Sequence, residues 1–144
     1  ALAVEAEREA YHELCAYTLT HGDAAFIHQH VVDAFAAQNA TDTSKPIGVT
    51  FALAGLFLHV EKGFTGRQVQ RVHMQLARKK QNWPRFTLPP NRGAITALDV
   101  MRTPEGVERD RAIHEWCADV WTAFAGNRDQ IVALLDEHQI PFPQ

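Results

Sequence analysis

A chain of 144 residues, 46% hydrophobic and 22% charged, has the length and composition of one globular domain, and disorder over most of it is not expected. Two cysteines are too few for a disulfide framework, and the longest apolar stretch, IGVTFALAGLFLHV, is 14 residues, too short to cross a membrane. The net charge of −3 conceals a strong asymmetry along the chain.

Apolar spacing reads as helix almost throughout. The opening residues, ALAVEAEREAYHEL, carry four glutamates and no basic start, so they do not read as a secretory signal, and a reducing cytoplasm is the expected setting. A first helix is expected over residues 3–20, with Val4, Tyr11, Leu14, Cys15 and Thr18 on its inner stripe. Gly22 suits its C-cap, and Asp23 suits the N-cap of a second helix, 24–38, with Ile27, Val31, Ala34 and Phe35 inward. After the polar loop NATDTSKP, Pro46 opens a third helix to about 61 that is apolar nearly all round, hence the most buried element. Gly63 ends it. Thr65 caps a fourth helix to about Lys80, with Val69, Val72, His73 and Leu76 inward. Pro84, Pro89 and Pro90 make residues 82–93 an extended crossing. AITALDVM is ambiguous. A long helix follows with Thr103 as cap, Pro104 in its first turn, Ile113, Cys117, Val120, Trp121 and Phe124 on its stripe and Gly126 past its end. The last helix spans about 127–138. The short links favour antiparallel neighbours. The fold expected is all-α: one domain over 1–144, a helical bundle of five or six helices with a Pro-rich non-helical connection.

HGDAAFIHQH places three histidines within ten positions. His28 and His30 look like a chelating pair, but on a helix residues two apart point about 200° from each other, so one ion cannot hold both. His28 is the better inward candidate. Folding the chain back at Gly22 sets it level with Cys15 to Tyr17, with His12 one turn beyond. If a metal binds, His28 is therefore the central expected ligand, with His12 and Cys15 as partners and His59 and His73 closing the shell. Zinc or another transition metal is the ion this imidazole and thiolate set would take. His114 and Cys117, three apart, could also face one neighbour. No HExxH or CxxC accompanies them, nor the paired Glu-x-x-His of a di-iron bundle. The plainer reading is that buried histidines bond backbone or carboxylate groups while the others are solvated, and that both cysteines are small buried hydrophobes. A metal-free alternative is acid–base work by a histidine, because imidazole titrates near neutrality. A serine triad is not expected, since Ser44, the only serine, sits in a loop.

From Lys62 to Leu98 the chain holds eight of its 14 basic residues and none of its 17 acidic ones. Arg71, Arg78, Lys79, Lys80 and Arg85, with Trp83 among them, could hold an anion or an acidic partner. The favoured reading is that the basic stretch faces the acidic helices of the same fold or of a second copy in a homodimer. Nucleic acid is the least favoured partner, since no helix-turn-helix or zinc-finger pattern is present, and no membrane partner is expected.

The blocks YHELCAYTLTHGDAAFIHQHVVDAFAAQ, GLFLHVEKGFTGRQVQRVHMQLAR, WPRFTLPPNRGAITALDVM and WCADVWTAF resemble the family catalogued as domain of unknown function 5946, from about Tyr11 to Leu135. The resemblance implies a small helical protein without assigned catalytic residues. His28, His73 and Trp83-Pro84 match family features. The cysteine pair that members often carry near the start is missing here, which sets the chain apart from any metal site built on that pair. Three functions are thus expected as alternatives: a protein with a histidine-lined pocket for a metal ion or small ligand, an interaction module using the 62–98 face, and a metal-independent histidine acid–base enzyme.

Overall fold

The computed structural model describes residues 2–21, 23, 25–79 and 82–141. Among them are seven α-helices and no strand: α1 (Leu2–His21), α2 (His28–Gln38), α3 (Pro46–Lys62), α4 (Gly66–Ala77), α5 (Ala97–Met101), α6 (Val107–Ala123) and α7 (Arg128–Glu137). The all-α expectation holds, with more helices than five or six. AITALDVM supplies the short α5, whose N-cap Thr96 and Asp99 form a reciprocal capping box.

Helix α3 lies at the centre and packs on α2, α4, α6 and α7. Its run from Ala52 to Leu58 is buried on every side, as an all-round apolar helix requires. Pro46 sits in its first turn, and Gly63, at φ 72°, ends it in the left-handed conformation that glycine adopts without steric cost. Thr65 then caps α4 in a second capping box with Gln68. The expected stripe of α6 is fully inward, joined by Trp116, the largest fully buried side chain. On α1 the stripe shifts: Leu14, Tyr17 and Thr18 are buried, whereas Val4 is 60% exposed.

Two helix starts differ from expectation. Helix α2 begins at His28 rather than 24. The Arg67 amide donates to the Ala25 carbonyl, and Gly66 packs against the Phe26 carbonyl so closely that a Cβ there would overlap it. The start of α4 therefore holds residues 25–26 out of the helix, with Phe26 at φ 57°. Asp23 accepts from the Ile27 amide and closes this turn instead of capping the helix. Gly22 lies outside the described residues. Helix α6 begins at Val107, not at Pro104, because Thr103 is spent on the end of α5: its hydroxyl donates to Val100 O, and its carbonyl accepts from the buried Arg109.

Residues 82–93 are non-helical, as the prolines dictate. The Asn127 side chain pairs with both the amide and the carbonyl of Thr87. Arg92 donates to the carbonyls of Ala37, Gln38 and Ala40 at the end of α2. Asp119 accepts from the amides of Ala94 and Ile95 at 2.7 and 2.8 Å. No helix among the described residues is long and apolar enough to cross a membrane.

Candidate functional site

Three histidines from three helices meet at one cleft. His30 lies in the first turn of α2, His59 in the last turn of α3 and His114 in the middle of α6. The His30 and His59 rings stack at 3.5 Å between centroids, 19° from parallel. His114 Nδ1 lies 2.9 Å from His59 Nε2, and His59 Nδ1 lies 3.1 Å from the Phe64 carbonyl. The cleft is about 310 Å³, with Ala25, Ile27 and Phe64 as apolar lining and Asp23 and Asp110 as its two carboxylates.

These contacts assign the protons. A carbonyl only accepts, so His59 Nδ1 carries the hydrogen given to Phe64 O. Burial, with the neighbouring His114 adding to it, brings His59 down to about 4, so it is neutral at pH 7 and its Nε2 is a lone pair. His114 Nδ1–H must then donate to that lone pair, which leaves His114 Nε2 as a free acceptor. Burial also lowers His114, opposed by the charges of Asp110 and Asp23. His30 is brought down to about 2 by burial and by the neighbouring His59 and His114. It is 3% exposed, and among the described residues neither of its ring nitrogens has a hydrogen-bond partner.

The residues named from sequence as metal ligands do not gather. His28 Nδ1 bonds the Thr18 hydroxyl at 3.0 Å, and burial lowers its pKa. His12 is exposed and lies beside Tyr11. Cys15 is half-buried against the Tyr11 hydroxyl, and burial raises its thiol pKa. His59 belongs to the cleft just described. His73 donates from Nε2 to the Phe51 carbonyl at 2.8 Å and stands 4.0 Å from Asp33. Among the described residues no group of three or more His, Cys, Asp or Glu side chains is arranged to hold a metal ion. The cleft itself shows the reason: both nitrogens of His59 are engaged, and in-plane lone pairs of stacked rings run side by side instead of converging.

His28 and His30 do point to different helices, α1 and α3, but the buried one is His30. The helical spacing could separate the two faces. It could not say which of them meets α3, because that depends on where α2 begins.

Asp33 is a second feature the sequence did not reveal. It is fully buried one turn below Gln29, whose amide donates to Oδ1 at 3.1 Å, while Oδ2 has no partner. Burial raises its pKa well above its ordinary value, which favours the neutral acid. It fits because Gly55 of α3 presents no Cβ there.

Several cations of the basic stretch stand unpaired among the described residues. Arg71, Arg78, Lys79 and Arg85 are exposed and make no ion pair among the described residues. Lys80 lies outside the described residues. Trp83 is half-buried edge-on to Phe51, so it packs on the core instead of offering a free stacking face.

No curated protein and no solved structure matches the chain. The family model for DUF5946, a family of unknown function, matches residues 7–125, and the chain belongs to that family.

Proposed function

We propose that the cleft between α2, α3 and α6 binds a small ligand and that His114 accepts a proton from it. The observation that carries this reading is the ordered chain from His114 Nδ1–H to His59 Nε2 and from His59 Nδ1–H to Phe64 O. A base needs a lone pair held in one direction, and a second group fixing its other nitrogen supplies that. Here His59 is the positioning residue, itself oriented by a backbone carbonyl. The imidazolium formed on His114 would be offset by Asp110 and Asp23. A metal ion in the same cleft has weaker support, because His59 has no nitrogen left to give.

The test is two-bond ¹H–¹⁵N correlation of the imidazoles at neutral pH. His59 and His114 should both carry their proton on Nδ1, against the Nε2–H preference of exposed histidine. His59→Gln should return His114 to the solution preference. Nε2–H forms of both in the native protein would end the relay reading.

A second reading, an interaction face on α4 and the turn that follows it, is favoured by Arg71, Arg78 and Lys79, which are exposed and make no ion pair among the described residues. Heparin retention that falls steeply with salt supports it, and elution at low salt speaks against it.

A further inference from the structure

We infer that the ligand of the histidine cleft is an organic cation, a protonated amine carried on a small apolar body. The inference rests on the cleft reading above and assigns its ligand class. Asp23 and Asp110 are the charged side chains that line it, and neither an arginine nor a lysine is among the lining residues. Asp23 spends its oxygens on the Ile27 amide, and Asp110 takes the Tyr17 hydroxyl at 2.9 Å. These donors are neutral, and neither carboxylate belongs to an ion pair among the described residues. Arg109, beside Asp110 in the chain, donates its guanidinium to Met101 O and Thr103 O, and Arg67, which lines the adjoining pocket with Asp23, lies over the Phe26 ring.

An acidic pair alone would be an ordinary surface feature. What marks this one is His30, which is almost wholly buried, lines the cleft and has no hydrogen-bond partner among the described residues. Its ring nitrogens are not fully enclosed, so a donor entering the cleft can reach them. Its neutral ring and the Nε2 lone pair of His114 both accept N–H donors, and neither repels a cation. An ammonium group brings three such donors and one positive charge. The apolar lining of Ala25, Ile27 and Phe64 suits a hydrocarbon body, and about 310 Å³ is the low end of small-molecule sites. In the proton step the ammonium N–H bond breaks and its proton passes to His114 Nε2. The nitrogen keeps the electron pair and becomes a neutral, nucleophilic amine, and the imidazolium faces Asp110 and Asp23.

The experiment is a chemical-shift titration with three probes of one shape: benzylammonium, benzyl alcohol and benzoate. Benzylammonium should shift the resonances of Ala25, Phe64 and the three imidazoles, with affinity at least about tenfold above the alcohol, the scale of one charge-assisted contact. Asp110→Asn keeps an acceptor for Tyr17 and should weaken benzylammonium several-fold while leaving benzyl alcohol unchanged. Asp23→Asn should do the same, which guards against one variant disturbing the fold. Benzoate binding as well as benzylammonium, or no binding of any probe, overturns the inference. Stoichiometric zinc binding that displaces benzylammonium overturns it too. The tautomer measurement remains separate: a relay that persists while benzoate wins leaves the base reading intact and removes only the ligand class.

Discussion

The imidazole of His30 lies face to face with that of His59, 3.5 Å between centroids, with both rings neutral. A proton on either ring would put a charge against a stacked neighbour in a dry site. Unfolding frees both rings to titrate near 6.5. The folded values are lower, so the unfolded state takes protons first as pH falls, and stability declines below about 6.5, down through about 4 for His59 and about 2 for His30. Each histidine contributes a slope of up to about 1.4 kcal/mol per pH unit in that window. Urea melts between neutral pH and pH 5 should show a smaller slope for His30→Leu than for the native chain. Equal slopes would mean that His30 titrates freely.

Asp33 has the opposite sign. Its folded pKa is raised, so its contribution is fully present below the unfolded value of 3.8 and is lost as pH rises toward the folded value. Asparagine keeps the acceptor for Gln29 and cannot ionise. Asp33→Asn should therefore be more stable than the native chain at neutral and alkaline pH, and the gain should vanish in acid. A variant less stable at pH 8 would show that the carboxylate is used.

Three glycines on α3 and α4 separate conformational freedom from close approach. Gly48 has open space where a Cβ would sit, so Gly48→Ala should stabilise by about 0.5–1 kcal/mol, the helix-propensity difference. Gly55→Ala would drive its methyl into Asp33, and Gly66→Ala into the Phe26 carbonyl. Both should destabilise, Gly66 more, because backbone cannot swing aside as a side chain can. Thermal melts of the three variants should fall in that order.

The exposed cations of α4 and of the turn after it contribute little to folding. Arg71→Glu with Lys79→Glu should change stability by no more than about 0.5 kcal/mol, as unpaired surface positions do. A large loss would favour the expectation that this stretch faces the acidic helices, within the chain or across a dimer.

Most of the architecture was legible because it follows from local rules. Pro46, Gly63 and Thr65 mark helix ends by the donors they lack or the conformations they allow, and the Ile113 to Phe124 stripe repeats at the helical period. The start of α2 was not legible, since it depends on a bond from Arg67 to Ala25, 42 positions apart in the chain. The site was lost for the same reason. His30, His59 and His114 share no spacing motif, and Asp33 looks like any polar residue until Gly55 is seen opposite it. Only the bland expectation for His73, a backbone hydrogen bond, could be read from its type and its inward face.

Extended segments between helices are ordinarily where a protease enters, because cleavage needs a stretch of chain that can leave the surface. The Pro-rich connection here is fastened at intervals, by Asn127 at Thr87, by Arg92 to the last carbonyls of α2 and by Asp119 at Ala94 and Ile95. Its side chains do the stapling that a helix does with its own backbone. In brief tryptic digestion the exposed Arg85 should be cut before Arg92, whose guanidinium is tied down. Replacing Arg92 by alanine should open the connection beyond Pro89 and loosen the end of α2 with it, so that a segment without regular structure fails together with the helix it holds.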